Sequence, residues 1–228
     1  MISLGDNLVE AKFESRYKRF LADVTVGRRH SLAFVPNTGR LERILTRGSI
    51  VLLRKAPRRR APYDMLVAYE GETPVVVDSR VSNLVVEEAL RQDRLPRFSS
   101  YHDVQREVRI GGSRLDFVLR DSRPYYLEVK GCTMARNSVA LYPDAPTERG
   151  RKHLELLARL HSEGKGAGIL FLAMRTDVRR FQVNNKMDRA FGNVLGISRS
   201  KGVEVYAYSI SLSDDFRCGI GRPLRIGS

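Results

Sequence analysis

Short apolar runs with turn residues between them fill the first third of the chain. Runs rich in Val, Leu, Ile and Phe alternate with Gly, Pro, Asn and Arg, a pattern typical of strands and tight connections. The pattern predicts strands near Ala11–Val26, Ser31–Val35, Ser49–Arg54, Asp64–Tyr69 and Pro74–Val77, with a short helix near Arg40–Thr46 that ends at Gly48. Several short strands and one small helix in so short a span are typical of a small β-barrel of the OB type.

The hydrophobic period changes from strand to helix near Asp78. Val81, Leu84, Val85 and Ala89 recur at helical spacing, and a serine at 79 or 82 is available as a cap. We therefore expect a domain boundary here, between residues 1–78 and residues 79–228.

The second domain alternates between strand and helix patterns. After the boundary helix the sequence predicts strand His102–Arg109, two strands that carry Asp116 and Glu128, a helix from Thr147 to Gly164, strand Ala167–Ala173, a helix near Asp188–Arg199 and strand Val203–Ile210. This order gives an α/β sandwich with a mixed sheet. The predicted fold class is therefore α/β (α+β), with an OB-like barrel followed by a mixed-sheet α/β domain.

One stretch of the second domain, Ser113–Gly131, has the pattern of an antiparallel hairpin. Two runs rich in Val, Leu, Phe and Tyr flank an Asp-Ser-Arg-Pro segment. A turn centred on Ser122 places Asp116 opposite Glu128. Because side chains alternate between the faces of a strand, Glu128 and Lys130 project from the same side. Two carboxylates and an ammonium are therefore expected to meet in one small patch.

Such a patch has a chemical interpretation. Two adjacent carboxylates repel unless one is protonated or a cation lies between them, and hard oxygen ligands suit Mg²⁺ or Mn²⁺. A lysine beside the ion can polarise a water molecule or hold a phosphate oxygen. This arrangement, with Asp116, Glu128 and Lys130, is the core of the PD-(D/E)xK nuclease class.

The boundary helix offers a further acidic candidate. Glu88 falls in the middle of the apolar stripe, where a carboxylate is unusual. We interpret it as a third metal ligand and catalytic group. The alternative is a partly exposed glutamate that pairs with an arginine.

The charge balance favours a polyanionic partner. The net charge is +14, from 40 basic and 26 acidic residues, and arginine outnumbers lysine by 32 to 8. Guanidinium groups suit bidentate contacts with phosphate, although the arginine bias also has a simple explanation in the base composition of a genome. Nucleic acid is the predicted partner.

Candidate nucleic-acid-binding residues lie in both domains. In the predicted barrel, basic residues stand beside Tyr17 and Phe20, follow an Asn-Thr-Gly turn, and form a run of three arginines; exposed, solvated segments are the alternative. In the second domain the predicted helix begins with basic residues, against the usual acidic preference of a helix start. The candidates are Arg16, Lys18, Arg19, Arg40, Arg58, Arg59, Arg60, Arg114, Arg149, Arg151 and Lys152.

The cysteine content and the apolar runs of the sequence indicate where in the cell the protein is expected. Cys132 and Cys218 are the only cysteines, without a C-x-x-C motif, so neither a disulfide framework nor a cysteine-based zinc site is indicated. No signal-peptide pattern is present and no apolar run approaches the ~18 residues of a membrane helix. A cytoplasmic protein without membrane contact is expected, and the sequence leaves a homo-oligomer open.

Three segments resemble one known family. They are Ser113–Phe117, Tyr126–Lys130 and the string Tyr-Pro-Asp-Ala-Pro-Thr-Glu-Arg-Gly at 142–150. Together with matches at Asn37–Arg40, these residues resemble the sugar fermentation stimulation protein (SfsA) family over nearly the whole chain. The resemblance implies an OB-like domain joined to a PD-(D/E)xK nuclease-like domain, and DNA binding without sequence preference linked to maltose and sugar use. Carried over by position, it implies a metal site of Glu88, Asp116, Glu128 and Lys130.

Three functions remain open at this point. The first is a divalent-metal-dependent nuclease, favoured by the acid, acid and lysine set. The second is a DNA-binding regulator that keeps the fold without cutting, favoured by the family description. The third is an RNA-binding or RNA-processing protein.

Overall fold

A computed structural model describes residues 1–56 and 60–227. Its helices are α1 (Arg80–Arg91), α2 (Glu148–Ser162) and α3 (Arg189–Ser200). Its strands are β1 (Ile2–Ser3), β2 (Val9–Tyr17), β3 (Leu21–Val26), β4 (Arg29–Phe34), β5 (Ile50–Lys55), β6 (Tyr63–Glu70), β7 (Thr73–Val76), β8 (Asp103–Ile110), β9 (Ser113–Arg120), β10 (Tyr125–Cys132), β11 (Ala135–Arg136), β12 (Val139–Tyr142), β13 (Gly166–Ala173), β14 (Arg180–Val183), β15 (Glu204–Leu212), β16 (Arg217–Pro223) and β17 (Arg225–Ile226).

The amino-terminal sheet closes into a barrel. Its strands follow the order β4-β3-β2-β5-β6-β7, and an additional parallel pairing of β4 with β6 closes a ring of five. Alternate residues of these strands, such as Val24, Leu53 and Met65, are buried in the barrel core. The predicted OB-like barrel is therefore confirmed.

Two details of the barrel differ from the sequence prediction. The stretch 11–26 is not one strand, because the chain reverses between β2 and β3 at Lys18 and Arg19, which both adopt positive φ. The predicted helix at 40–46 is absent; residues 42–44 form a turn. Leu41 has φ of 55°, which interrupts a right-handed helix at its start.

The second part of the chain is a mixed sheet between helices. Seven strands follow the order β1-β16-β15-β13-β10-β9-β8, with parallel pairs around β13 and antiparallel pairs at both edges. Helix α1 packs on one face with Leu127 and Leu170, whereas α2 and α3 pack on the other with Ile169 and Phe171. The predicted mixed-sheet α/β architecture is confirmed.

The first strand does not belong to the barrel. Ile2 and Ser3 pair with Cys218 and Arg217 at the edge of the seven-stranded sheet. The chain therefore touches the α/β sheet before it builds the barrel. Among the described residues, no helix is long and apolar enough to cross a membrane.

Candidate active site

The β9–β10 hairpin has the register that the sequence predicts. Tyr125 pairs with Leu119 and Leu127 pairs with Phe117, as a turn centred on Ser122 requires. The ladder ends there, because Oδ2 of Asp116 accepts the backbone N–H of Val129 at 2.9 Å. The side chain of Asp116 thus replaces a strand-to-strand bond and is fixed beside the next residues of β10.

Asp116 is held on both oxygens. Its Oδ1 accepts a hydrogen bond from Nδ2 of Asn83 on α1 at 2.8 Å. Burial, reinforced by the negative charge of Glu128, raises the pKa of Asp116 to about 6. The two carboxylates therefore interact across the strands, as predicted.

Glu128 is the most deeply placed carboxylate of the hairpin, with 2% of its surface exposed. Its Oε1 accepts from Nζ of Lys130 at 2.5 Å and from Nδ1 of the buried His153 on α2. Burial alone would raise the pKa of Glu128, but the Lys130 charge and the His153 hydrogen bond outweigh it, so the pKa is lowered. Glu128 is thus ionised inside the protein.

The second oxygen of Glu128 has a different environment. Oε2 is buried and has no hydrogen-bond partner among the described residues. An ionised carboxylate oxygen in this position is costly unless something positive or protic reaches it. Because Glu128 lines an open cleft together with Asp116, a cation in that cleft would satisfy this oxygen.

The cleft lies between the barrel and the α/β domain and has a volume of about 400 Å³. The hairpin carboxylates and Lys130 line it from the sheet side, Arg19 and the loop 37–39 from the barrel side, and the segment 142–147 with Arg149 from the third side. The segment that resembles the family string therefore faces the carboxylates.

Arg16 holds the barrel side of this cleft together. Its guanidinium donates to the carbonyl oxygens of Arg19 at 2.6 Å, Gly39 at 2.8 Å and Asn37 at 2.6 Å. A Cβ at Gly39 would collide with Oδ2 of Asp144, so the Asp144 side chain would have to move if another residue replaced this glycine. Arg16, predicted to bind nucleic acid, is therefore engaged in holding the loop.

Glu88 lies elsewhere. Its Oε1 accepts from Nε2 of Gln92 at 2.6 Å and lies 3.6 Å from the amino group of Met1. Asn83 faces the cleft, and five further residues rotate a helix by about 140°, which turns Glu88 away from it. The structure therefore does not bring Glu88 to the other predicted metal ligands.

The predicted nucleic-acid-binding residues separate into paired and unpaired groups. Several are engaged in ion pairs: Arg40 with Glu42, Arg114 with Glu107, Arg151 with Asp188, and Lys152 with Glu148. The exposed Lys18, Arg19, Arg60 and Arg149 have no carboxylate partner among the described residues, and of these Arg19 and Arg149 line the cleft. Arg58 and Arg59 lie outside the described residues.

Two residues of the site were not predicted to contact the carboxylates. Asn83 and His153 touch Asp116 and Glu128, respectively, although neither is an acid or a lysine. For His153 a signal existed, because it shares a helical face with Leu154 and Leu157, where a polar side chain needs a partner. Asn83 carries no comparable signal.

The donor set fits a cation that keeps part of its hydration shell. In the described part of the chain there is no group of three or more His, Cys, Asp or Glu side chains with the geometry of a metal site. Mg²⁺ is commonly bound through one or two carboxylates, with water and phosphate as the other ligands. Asp116 and Glu128, with its unsatisfied Oε2, fit such a site.

Comparisons with known proteins agree over the whole chain. The family model described as the sugar fermentation stimulation protein RE domain matches residues 80–216, and the family model of the SfsA N-terminal OB domain matches residues 15–77. The sugar fermentation stimulation protein homolog of Clostridium perfringens (strain 13 / Type A) is 41% identical over 210 residues, 90% of this chain and 91% of the relative. That of Clostridium botulinum (strain Langeland) is 38% identical and covers 99% of both chains.

A solved structure matches as well. The structure of Pyrococcus furiosus SfsA in complex with Ca²⁺ superposes with a TM-score of 0.92, at 26% identity, and covers 100% of both chains. The chain therefore belongs to the sugar fermentation stimulation protein family.

Proposed function

We propose that the chain is a divalent-metal-dependent nuclease that binds DNA without sequence preference and hydrolyses its phosphodiester bonds. The observation that carries this proposal is the free, buried Oε2 of Glu128 beside Asp116 and Lys130 in a cleft rimmed by arginines. A protein that only binds the phosphate backbone gains nothing from carboxylates at the contact surface, since they repel it.

Asp116 and Glu128 would hold the metal ion, Mg²⁺ or Mn²⁺. The Ca²⁺ in the structure of Pyrococcus furiosus SfsA supports a divalent ion in this fold. When bound, such an ion lowers the pKa of water and neutralises charge on the transferred phosphate. Glu88 is not proposed as a ligand, because its carboxylate is turned away from the cleft.

Lys130 would act directly on the substrate. Its ammonium donates to Oε1 of Glu128 and borders the cleft, with 14% of the side chain exposed. An ammonium has three donors, so Lys130 can keep this bond and also donate to a water molecule or a phosphate oxygen. It would orient the attacking water and stabilise negative charge as the phosphodiester is cleaved.

Asn83 and His153 act through the carboxylates. Asn83 donates to Oδ1 of Asp116 and His153 to Oε1 of Glu128, which leaves Oε2 of Glu128 without a partner among the described residues. Such contacts fix the orientation of metal ligands, and their loss typically lowers metal affinity or activity by about 10- to 100-fold. A cytoplasmic location, as expected from the two unpaired, buried cysteines, would give the protein access to DNA.

The alternative is a DNA-binding regulator of sugar and maltose metabolism genes that does not cut. One observation favours it, because Lys130 and His153 already compensate Glu128 without any cation. The names of the relatives, which refer to the stimulation of sugar fermentation, point the same way.

Cleavage assays with the purified chain distinguish the two functions. We expect Mg²⁺- or Mn²⁺-dependent cleavage of single-stranded DNA, duplex DNA or RNA that EDTA abolishes. Asp116→Ala and Lys130→Ala should each reduce it at least about hundredfold, since each removes a group that acts on the transition state. DNA binding in EDTA should remain close to wild type.

Glu88→Gln is the matched control, because it removes a carboxylate of the same domain that lies outside the cleft. Cleavage that survives in both cleft variants, or is lost equally in Glu88→Gln, contradicts the proposal. Tight DNA binding with no cleavage of any substrate would establish the regulator instead.

A further inference from the structure

The turn between β2 and β3, Tyr17–Phe20, exposes an unusual pair of side chains. Tyr17 is 37% exposed and Phe20 is 39% exposed. The other large apolar side chains with comparable exposure in the described chain are aliphatic: Met1, Ile50, Leu84 and Ile197. Exposed aromatic rings thus occur together at one place, which we call the aromatic turn.

Positive charge accompanies these rings. Lys18 and Arg19, the two central residues of the aromatic turn, are exposed, and neither side chain has a carboxylate partner among the described residues. Arg19 also lines the cleft that contains Asp116 and Glu128. Arg19 therefore connects the aromatic turn to the candidate active site. The rings and free cations of the turn complement a ligand with flat rings and negative charges.

The aromatic turn is held rigidly. Arg16 binds the carbonyl oxygen of Arg19 and those of the loop 37–39. The backbone N–H of Phe20 donates to the carbonyl oxygen of Lys18 at 2.7 Å. The ring of Phe20 lies nearly parallel to that of Phe34, with centroids 6.0 Å apart. A site that is already ordered loses little entropy when a ligand binds.

We propose that the aromatic turn binds single-stranded DNA by stacking unpaired bases on Tyr17 and Phe20 while Lys18 and Arg19 contact the phosphates. The strand then continues past Arg19 into the cleft, between the carboxylates and Arg149. This step rests on the proposed nuclease function only for the direction of the strand. The binding itself does not require cleavage.

Stacking of bases on the protein rings explains why we expect the aromatic turn to prefer single-stranded DNA over duplex DNA. Bases of a duplex already stack on one another, so protein rings gain little from them, whereas each base of a single strand offers a free face. Cations alone would hold a duplex as well as a single strand, because both present phosphates. If the aromatic turn only added charge, its rings would be dispensable.

The test measures binding of the full chain in EDTA, by fluorescence anisotropy, to a labelled oligothymidine of about 20 nucleotides and to a duplex of the same length. The double variant Tyr17→Leu, Phe20→Leu keeps apolar bulk but removes the ring faces. It should bind the single strand about tenfold more weakly and the duplex with nearly unchanged affinity. Ile197→Ala, an exposed apolar residue on α3, is the control and should alter neither.

A second measurement detects the contact directly. The chain contains no tryptophan, so Tyr17→Trp introduces a single one. Its emission should be quenched by saturating single-stranded DNA and unaffected by the duplex.

Unchanged single-strand affinity in the double leucine variant, or tryptophan emission that ignores bound single strand, overturns the inference. The nuclease proposal is tested separately. If the protein binds single strands through the aromatic turn but cleaves nothing, the stacking inference holds and the nuclease proposal fails. If it cleaves DNA and the double leucine variant binds single strands normally, the nuclease proposal holds and the stacking inference fails.

Discussion

The floor of the cleft and its rim use charge in opposite ways. On the floor, Asp116 and Glu128 are enclosed, and every oxygen except Oε2 of Glu128 accepts a hydrogen bond from a fixed donor. On the rim, Arg19 and Arg149 are exposed and have no carboxylate partner among the residues that the structure describes. The carboxylates of the floor are held in one geometry, whereas the exposed arginines of the rim can adjust to different positions of a nucleic-acid backbone.

This difference determines how each region responds to its surroundings. Buried charges interact strongly and are poorly screened, so the floor should be sensitive to single substitutions and to pH. Exposed charges are screened within about 10 Å at ordinary salt, so the rim should be sensitive to ionic strength. Three changes test this contrast.

The largest effect is expected for His153→Leu on the floor. It removes a donor to a buried, ionised carboxylate, so the free energy of unfolding should fall by about 3 kcal/mol. Urea unfolding measures the change. The affinity for Mg²⁺, measured by calorimetry, should fall as well, since Glu128 loses part of its orientation.

The control is His161→Leu on the same helix, because Nδ1 of His161 is buried without a hydrogen-bond partner among the described residues. That substitution should lower the free energy of unfolding by less than about 1 kcal/mol. Equal losses for the two histidines would show that His153 contributes only packing.

A smaller effect, with a defined pH dependence, is expected for Asp116→Asn. The pKa of Asp116 is about 6 in the folded chain and 3.8 ordinarily, so the folded state retains its proton to higher pH than the unfolded state. Stability is therefore lost as the pH rises from about 4 to 6, and asparagine escapes this loss. Above pH 7 the variant should be more stable than wild type by about 2 kcal/mol, although it cannot bind the cation.

Thermal melts of both proteins between pH 4 and pH 8 measure this difference, which should vanish near pH 4. Asp121→Asn, in the exposed turn of the same hairpin, controls for the loss of one negative charge. A variant that is less stable than wild type at pH 8 would mean that Asp116 is not destabilised by its surroundings.

The smallest effect concerns the rim. Arg19→Ala should lower the slope of log affinity for DNA against log salt by about 1, because one phosphate contact disappears. Arg151→Ala should leave the slope unchanged, since Nη1 of Arg151 is bound to Asp188 at 2.9 Å. DNA affinities of the two variants, measured at salt concentrations from about 50 to about 200 mM, test this difference. Equal slopes for both variants would remove the distinction between paired and unpaired arginines.

Much of the floor could be predicted from the sequence because it depends on local rules. Strand alternation and a short turn fix which residues of a hairpin face each other, so Asp116, Glu128 and Lys130 were placed correctly. The barrel and the mixed sheet follow in the same way from hydrophobic period and element order.

The remaining features depend on contacts between distant segments. A helical stripe shows that Glu88 lies near the protein interior but not which neighbour it meets. Asp188 meets Arg151 only after α2 and α3 have packed, so the sequence could not show that this arginine is engaged. The segment 132–146 lacks the pattern of a long element, so the sequence predicts it as irregular. In the structure its strand β12 pairs with β14, about 40 residues further along the chain, and β14 in turn pairs with β17.

The placement of β1 determines how the barrel and the α/β domain are connected. Since Ile2 and Ser3 are part of the sheet that β16 completes, the barrel is an insertion, joined to the α/β domain by two covalent crossings, before β2 and after β7. Because both ends of the barrel continue into the α/β domain, truncation at one end of the chain cannot remove the barrel alone, and a fragment beginning at α1 would lack an edge strand of its own sheet.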